Sequence, residues 1–196
     1  MARYTGPKWK LSRRENYDVF GNNKWRKRPT LPGVHPVSKG RPSNYAIQFR
    51  EKQKLKRMFG MLEKQFRNVY QTASKSTGNT GLRFLQLLEL RLDNVVYKLG
   101  MAKSIMQARQ FVGHRHVLVN GKKVNIPSMT LKVNDVVEFE PNFAKGEYVT
   151  LIKSESKAMK IAIPAWLSEN KIASIPTREM MDQGIKEQLV VELYSR

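Results

Sequence analysis

Basic side chains are the residues of this sequence with the most evident chemistry. Arg115 stands between His114 and His116, and Lys122 and Lys123 follow the dipeptide Asn120-Gly121. Ammonium and guanidinium groups only donate hydrogen bonds, and carboxylate or phosphate oxygens are their usual acceptors. Six cations in this part of the chain are expected to share one surface suited to phosphate groups: Lys98, Lys103, Arg109, Arg115, Lys122 and Lys123.

The residue groups that could form a metal or catalytic site are incomplete. His114 and His116 would share one face of a strand, but no third ligand of metal-site type lies near them. Gly78-Asn-Thr-Gly81 has the glycines of a phosphate-binding loop without its Lys-Ser/Thr pair. The sequence has no cysteine, which excludes zinc sites and nucleophiles built on that residue. We expect no catalysis, no metal and no cofactor.

The charge of the whole chain points to a polyanionic partner. The 196 residues include 36 Lys or Arg and 16 Asp or Glu, a formal net charge of +20. Residues 1–60 hold 16 of these basic and 3 of these acidic residues. Such a charge repels itself until phosphates neutralise it, so nucleic acid is the first interpretation. An anionic membrane is the second, and no run approaches the ~20 consecutive apolar residues of a spanning helix.

The elements that must position these cations begin with a basic arm. Residues 1–42 combine glycine, proline and cations with aromatic residues, and they show neither a helical nor an alternating pattern. This predicts an extended arm that becomes ordered only against RNA. A disordered, solvated tail is the alternative, although such tails are usually poor in aromatic residues.

Apolar residues at steps of three and four predict helices after the arm. One long amphipathic helix with a basic side is expected from Ser43 to about Ala73, followed by a polar loop over 74–81. A second helical stripe runs from Leu82 to Gly100, where glycine is a favourable stop. Ser104-Ile-Met-Gln107 predicts the capped start of a short helix that ends at Gly113.

The pattern then changes to strands. A hairpin is predicted over His116–Val119 and Lys122–Ile126, because Asn120-Gly121 suits a type I′ turn in which both residues need positive φ. Further strands are expected at Val136–Glu140 and Glu147–Lys153.

Together these elements predict an α+β fold in three parts. The basic extended arm covers 1–42, and a mostly helical domain combines 43–90 with about 165–196. The second domain is discontinuous because a C-terminal helix, marked by Ile185 and Leu189, is expected to pack on the first helical block. A small α+β module, 91–164, is inserted between them, with a helix pair and antiparallel strands. Its basic face suits the phosphates and 2′-hydroxyls of folded RNA, and an ordinary solvated charged face is the alternative.

Motifs over nearly the whole length match one known family: Ala2–Glu15, Arg50–Lys54, Leu62–Asn68, Gly78–Gly81, Arg91–Gly100, Ala108–Gln110, Val119–Gly121, Val124–Ser128 and Val191–Arg196. With them the chain resembles the S-four family of bacterial small-subunit ribosomal proteins. The stretch from Arg91 to about Phe139 is similar to the small RNA-binding module that takes its name from this family. The arm and the carboxyl-terminal motif distinguish the chain from other proteins that carry the module.

The resemblance implies a structural component of the small ribosomal subunit. It implies a primary binder of 16S-type rRNA that nucleates assembly of the 5′ region, contributes to the mRNA entry path, and influences translational accuracy through contact with ribosomal protein S-five. Other small-subunit proteins are implied neighbours, whereas no membrane and no small-molecule substrate are expected. A cytoplasmic ribosome is the implied location, and an organellar ribosome stays open as an alternative.

Residue roles follow from the cations and from the resemblance together. The surface around Trp166 and Arg178 is expected to face protein neighbours, and Lys39, Arg41 and Arg50 to touch rRNA or incoming mRNA. The full set of predicted RNA-binding residues is Arg3, Lys8, Lys10, Arg13, Arg14, Lys39, Arg41, Arg50, Lys52, Lys54, Arg67, Asn79, Arg83, Arg91, Lys98, Lys103, Arg109, Gln110, Arg115, His116, Asn120, Lys122 and Lys123.

One departure from the family concerns the arm. Many relatives carry a longer arm, sometimes with a cysteine zinc site, whereas Asn16 to Pro32 contains no cysteine here. Zinc is therefore not carried over. Two other classes compete with a ribosomal role: an RNA-modifying enzyme such as a pseudouridine synthase, for which no catalytic aspartate site is evident, and a free RNA chaperone.

Overall fold

The computed structural model describes residues 4–21, 24–28, 30–34, 40–158 and 163–195, with 153–158 described by their backbone alone. The chain folds into two compact units. Unit 1 comprises Met1–Phe84 and Gln183–Arg196, and unit 2 comprises Leu85–Asp182. Helices occur together with short antiparallel strands, which confirms the predicted α+β class.

The elements follow one another along the chain with short connections. The helices are α1 (Lys8–Glu15), α2 (Asn44–Met58), α3 (Glu63–Ser74), α4 (Thr80–Glu89), α5 (Leu92–Lys98), α6 (Ile105–Gly113), α7 (Pro141–Ala144), α8 (Glu147–Ala158) and α9 (Glu187–Tyr194). The strands are β1 (Val117–Val119), β2 (Lys122–Val124), β3 (Val137–Phe139), β4 (Leu167–Ser168) and β5 (Lys171–Ile172), and 3-10 turns cover Lys24–Lys27 and Arg178–Met180.

Helix α1 lies in the segment that was expected to be an extended arm, so that expectation is wrong for its first part. A helix of 8 residues is marginal in isolation, and its stability comes from tertiary contacts that the spacing of apolar residues does not reveal. The Glu15 carboxylate, at the end of α1, forms ion pairs with Arg50 and Arg57 of α2. The following 3-10 turn buries Trp25.

The long helix expected from Ser43 to Ala73 is two helices, α2 and α3. At Gly60 the backbone turns to φ 57°, and the Gly60 and Met61 amides donate to the carbonyls of Arg57 and Lys56 at 3.0 Å each. This is the Schellman pattern, in which a residue at positive φ ends a helix by satisfying its last carbonyls. The glycine was a readable stop signal within the apolar stripe.

Aromatic residues form the centre of unit 1. Phe66 and Phe84 are fully buried and meet edge to face with ring centroids 5.0 Å apart. Tyr70 stacks on Tyr194 of α9 at 4.7 Å. Helix α9 also packs on α2, where the Gln48 amide donates to the Glu192 carboxylate at 2.8 Å. The C-terminal helix therefore completes the helical block at the start of the chain, as its apolar spacing predicted.

Unit 2 has its own hydrophobic core. The stripe from Leu82 to Gly100 is interrupted at Leu90-Arg91, because the Leu90 carbonyl accepts from the Leu131 amide at 2.9 Å and Arg91 bridges Thr130. A strand-like contact thus separates α4 from α5. The core is built from apolar side chains of α5, α6, the strands and α8, among them Val95, Val112, Val117, Val137, Ile152 and Trp166.

The hairpin and the strand at Val136–Glu140 are confirmed. Strands occur in the order β2-β1-β3, all antiparallel, with Val117 opposite both Val124 and Phe139. Asn120 and Gly121 have φ of 51° and 76°, as the hairpin turn requires. On β1, Val117 and Val119 face the core, which fixes the register of its neighbours.

The strand expected at Glu147–Lys153 is wrong, because this segment forms α8. Val149 and Ile152, three residues apart, are buried, whereas Tyr148 and Leu151 are exposed. That spacing buries one face of a helix and would not bury one face of a strand. The β-branched residues favoured a strand locally, but packing on the core favours the helix.

Residues 165–182 were expected to belong to the helical domain, and the structure places them in unit 2 instead. Trp166 and Ile172 are fully buried in the core of unit 2. The Val137 amide donates to the Asn170 carbonyl at 2.7 Å, so the small β4-β5 hairpin attaches to the sheet region. Within the described ranges, no helix combines the length and apolar character that crossing a membrane requires.

Candidate nucleic-acid interface

The end of α6 places one arginine in an unusual backbone conformation. Arg115 has φ 64°, its amide donates to the Val112 carbonyl, and the His116 amide donates to that of Phe111, both at 3.0 Å. This is again the Schellman pattern, at a position where glycine is usual because side chains are strained at positive φ. The Arg115 side chain is exposed, and no described carboxylate forms an ion pair with it. The helix end therefore presents an unneutralised guanidinium.

The start of α6 is capped as predicted. The Ser104 hydroxyl accepts from the Gln107 amide at 3.3 Å, and the Gln107 side-chain oxygen accepts from the Lys103 amide at 2.7 Å. The cap fixes the rotation of the helix, which buries Ala108 and Val112. Gln110 is then exposed on the opposite side, and Lys103 is half-buried.

Two predicted RNA contacts are engaged with one buried carboxylate. Asp93 has a side chain that is 1% exposed, and it accepts from the Arg91 guanidinium at 2.9 and 3.1 Å and from Arg109 at 2.6 and 3.0 Å. Arg91 is itself buried. The prediction that Arg91 binds RNA is therefore corrected: its guanidinium positions α5 and α6. Arg109 keeps a side-chain exposure of 19%.

Lys98 is also paired within unit 2. Its ammonium forms an ion pair with Glu89, whose side chain is 4% exposed and also accepts from the Asn94 amide at 2.7 Å. The ammonium lies 5.7 Å from the centre of the Trp166 ring. Trp166 is fully buried, which corrects the prediction that it faces protein neighbours. Arg178, the other predicted protein contact, is half-buried and donates to the Asp182 carbonyl at 3.2 Å.

The hairpin divides its lysines between two faces. Lys122 and Lys123 are adjacent in β2, so their side chains leave opposite faces of the strand. The prediction had placed both lysines on one surface. Lys123 pairs with Glu140 at 2.7 Å, and Lys122 is exposed without a described ion-pair partner. The Asn120 amide holds the turn, donating to Asp135 and accepting from the Val136 amide, both at 2.9 Å.

The two histidines of this region are neighbours, and one of them packs on an aromatic ring. His116 stacks on Phe143 with ring centroids 4.0 Å apart, and His114 lies 5.9 Å from His116. Across the residues that the structure describes, no group of three or more histidines and carboxylates could hold an ion. Stacking leaves His116 half-buried beside the exposed Arg115.

In unit 1, one arm carboxylate engages two arginines of α2. Glu15 has a side chain that is 1% exposed and is bound by Arg57 and, at 3.2 Å, by Arg50. Burial raises the pKa of Glu15 against the effect of these arginines, and burial lowers the pKa of Arg57. Arg50, predicted to bind RNA, retains 38% of its side chain exposed.

Two lysines of α2 that were predicted to contact RNA form contacts within unit 1. Lys52 is buried, pairs with Glu63 at 2.7 Å and lies 4.9 Å from the Phe49 ring. Lys54 binds Glu51 and the Gly184 carbonyl, each at 2.7 Å. The basic side of α2 thus contacts Glu63 of α3 and the Gly184 carbonyl, in addition to the Lys54–Glu51 pair within α2 itself.

Burial acts to raise the pKa of Glu63, but hydrogen bonds from Lys52, Lys56 and Tyr194 outweigh it and lower this pKa to about 2. Burial, and after it the hydrogen bond with Glu63, raises the pKa of Tyr194. Helices α2, α3 and α9 thus meet at one charged carboxylate.

The remaining predicted residues divide by exposure. Asn79 uses its side-chain oxygen to accept from the Leu82 amide at 3.1 Å, which caps α4. Arg13 and Arg83 are half-buried, and Arg3 and Lys39 lie outside the described residues. The exposed members are Lys8, Lys10, Arg14, Arg41 and Arg67.

Sequence reasoning missed the cations around Trp25. Lys24, Lys27 and Arg28 were not among the predicted contacts, although the segment 24–28 places one tryptophan among four basic residues. Alternation of aromatic and basic side chains is typical of single-stranded nucleic-acid binding and could have indicated them.

Two family models match consecutive parts of the chain, which together cover residues 3–137. The model described as "Ribosomal protein S4/S9 N-terminal domain" matches residues 3–89, and the model described as "S4 domain" matches residues 90–137. The second range contains α5, α6, β1 and β2, and it ends at the first residue of β3.

Curated relatives match over the full length of both proteins. The chain is 47% identical over 204 residues to the small ribosomal subunit protein uS4 of Opitutus terrae, covering 100% of each. It is 44% identical over 211 residues to the protein of the same name in Herpetosiphon aurantiacus, again covering 100% of each.

Proposed function

Because this chain belongs to the uS4 family of small ribosomal subunit proteins, the S-four family of the sequence analysis, we propose that it binds 16S-type rRNA directly through exposed cations. Membership makes it a ribosomal protein with an RNA-binding S4 domain and not an enzyme. The formal charge of +20 then has an evident counter-charge in rRNA phosphates.

The observation that carries the proposal is the exposed Arg115 at the end of α6. Positive φ costs an arginine about 1–2 kcal/mol that glycine would avoid. The last carbonyls of this helix are already satisfied by the Arg115 and His116 amides. A strained residue with an unneutralised guanidinium fits a role in binding, for which a bidentate contact to phosphate is the natural chemistry.

The finer role follows the resemblance. We propose that the protein nucleates assembly of the 5′ region of the rRNA, because the exposed cations occur in both units and each can bind phosphates. Arg41 is exposed and supports a contribution to the mRNA entry path. For contact with ribosomal protein S-five and an effect on accuracy, the exposed Ile175 replaces the buried Trp166 as the candidate residue beside Arg178. A cytoplasmic ribosome is the proposed location.

The test compares three substitutions at Arg115 in binding to a fragment of the 5′ region of 16S-type rRNA. Arg115→Ala removes a charge-assisted hydrogen bond, and we expect it to weaken binding by about 1–2 kcal/mol. Arg115→Gly should weaken binding equally while raising the free energy of unfolding by about 1 kcal/mol, since it relieves the positive φ. Arg115→Lys keeps the charge and should retain part of the affinity.

In Arg115→Gly the affinity for RNA should fall while the free energy of unfolding rises. A loss of binding in this variant therefore cannot be caused by a loss of folding. Arg109 is unsuitable for this purpose because its removal would leave Asp93 short of a partner. Wild-type binding should weaken steeply as salt rises, since each phosphate contact releases counterions. Affinity that does not depend on salt, or three variants that bind like the wild type, would refute the proposal.

A further inference from the structure

A cavity lies within the amino-terminal part of unit 1, between α1 and the 3-10 turn at Lys24–Lys27. Its volume is about 400 Å³, within the ~300–1,000 Å³ range of pockets that hold small organic groups. Mainly apolar walls include both indole rings of the region, and the lining residues are Pro7, Trp9, Lys10, Arg13, Lys24, Trp25, Lys27 and Arg28.

The rim of this cavity is strongly basic. Lys10, Lys27 and Arg28 are exposed, and Arg13 is half-buried. None of these four forms an ion pair with a carboxylate in the described part of the chain. The cavity thus combines aromatic walls with unneutralised cations, which suits a flat aromatic group that carries negative charge.

Two buried donors on the lining residues have no partner. Trp25 is 8% exposed, and neither its Nε1 nor the Nε of Arg13 has a hydrogen-bond acceptor among the described residues. Buried N–H groups usually have a hydrogen-bond acceptor, and both of these belong to residues that line the cavity. Carbonyl and ring nitrogen atoms of a nucleobase are such acceptors.

The walls are held in place before any partner binds. Trp9 meets Phe20 edge to face at 6.1 Å, and the Glu15 ion pairs attach α1 to α2. Arg26 lies 5.8 Å from the centre of the Trp25 ring. It lines a second cavity of about 560 Å³ and is not among the lining residues of the first. Trp9 and α1, which form one wall of the first cavity, are therefore held by contacts within unit 1.

We propose that this cavity takes one unstacked nucleotide of the rRNA, with its base against Trp9 and Trp25 and its phosphates on Lys10, Lys27 and Arg28. The inference rests on the proposed function and adds a site to it. Bases stack on aromatic side chains whatever their identity, and single-stranded RNA is recognised mainly in this way. An acidic protein segment would use the cations but not the two indole walls.

The test uses the full chain and the same rRNA fragment, with binding and base-by-base chemical protection as readouts. Trp9→Leu keeps an apolar side chain and removes the stacking ring, and we expect affinity to fall about tenfold, within the ~5–150-fold range of one stacked base. The double variant Lys27→Ala with Arg28→Ala removes only exposed cations and leaves the packing intact. Protection should be lost in both variants at the same unpaired nucleotide and retained elsewhere.

Matched controls lie in the same unit outside the cavity. Tyr45→Leu removes an exposed aromatic side chain of α2, and Lys64→Ala with Lys75→Ala removes two exposed lysines. Both controls should keep the protection at that nucleotide. The site would be supported if protection is lost at one nucleotide in the cavity variants and is kept there in both controls.

Three results would overturn the inference. One is wild-type protection in both cavity variants, and another is a diffuse loss of protection in the double variant. The third is unchanged rRNA affinity together with loss of another ribosomal protein from the reconstituted subunit, which would identify a protein occupant. If the wild-type chain itself fails to bind the rRNA, the proposed function fails instead, so the two failures are distinguishable.

Discussion

At the scale of single residues, acidic side chains decide which cations are available. Glu15, Glu63 and Asp93 each bind two basic residues. The Glu15 and Asp93 carboxylates are buried and need their cations, because an unpaired buried charge is costly, whereas the Glu63 side chain is 46% exposed. Cations held in this way organise the fold, and the exposed ones that remain, such as Arg115 and Lys122, can neutralise phosphates.

Glu63→Gln tests one of these carboxylates through its pH dependence. The folded-state pKa of about 2 lies below the ordinary 4.5, so the contribution of Glu63 is complete above pH 4.5 and is lost as pH falls toward 2. Since the side chain is 46% exposed, solvent screens the contact and we expect a loss of about 1 kcal/mol at pH 7.

The measurement for Glu63→Gln is chemical denaturation between pH 7 and pH 2. The difference from the wild type should shrink through the window from pH 4.5 to pH 2, because the wild-type carboxyl also becomes neutral there. Glu138→Gln, an exposed strand residue, is the control. A difference that stays constant over the whole range would contradict the assignment.

At the scale of elements, the residues at helix ends determine where one helix stops and the next begins, which a stripe of apolar residues does not reveal. Gly60, Gly100 and Arg115 all end helices at positive φ with the same pair of backbone hydrogen bonds. Two of the three are glycines, as expected for this motif. The stripe continues across Gly60 because the next helix also has an apolar face, so periodicity alone predicted one helix where two are present.

Paired substitutions in α8 test whether this segment is a helix or a strand. Ile152→Ala should lower the free energy of unfolding by about 2–4 kcal/mol, because the side chain is fully buried. Leu151→Ala should change it by less than about 0.5 kcal/mol, since Leu151 is 58% exposed. Thermal or denaturant unfolding measures both. Equal losses at the two positions would contradict the helical face.

At the scale of the whole molecule, the two ends of the chain contribute to one unit. Val190 of α9 is fully buried, and Tyr194 stacks on Tyr70. Unit 1 is therefore completed only when the segment Gln183–Arg196 is present, whereas unit 2 is continuous in sequence. Discontinuity of this kind makes the folding of unit 1 depend on distant parts of the chain.

Truncation after Asp182 tests this dependence. Without α9, apolar groups of α2 and α3 become exposed, and we expect the backbone amides of these helices to lose protection from hydrogen exchange. The amides of α5, α6 and β1 in unit 2 should keep theirs. Removal of Ser195 and Arg196 alone is the matched control and should leave both patterns unchanged. Unchanged protection in α2 after the longer truncation would show that α9 is dispensable.

The sequence by itself determined the local features. Asn120-Gly121 specified its hairpin, Ser104 and Gln107 specified a capped helix, and the motifs identified the family, because each depends on residues close together in the chain. Glu147–Lys153 was misread because its β-branched residues suit a strand until Val149 and Ile152 find a core.

The availability of the cations was decided only by the tertiary structure. Lys52, Arg91 and Arg115 look alike in a sequence, yet the first two are buried beside Glu63 and Asp93 and the third stands exposed. Trp9 and Trp25 likewise become the walls of one cavity only when α1 and the 3-10 turn pack together. Net charge is a sum over residues, whereas burial and ion pairing depend on which distant residues the fold brings within a few ångströms.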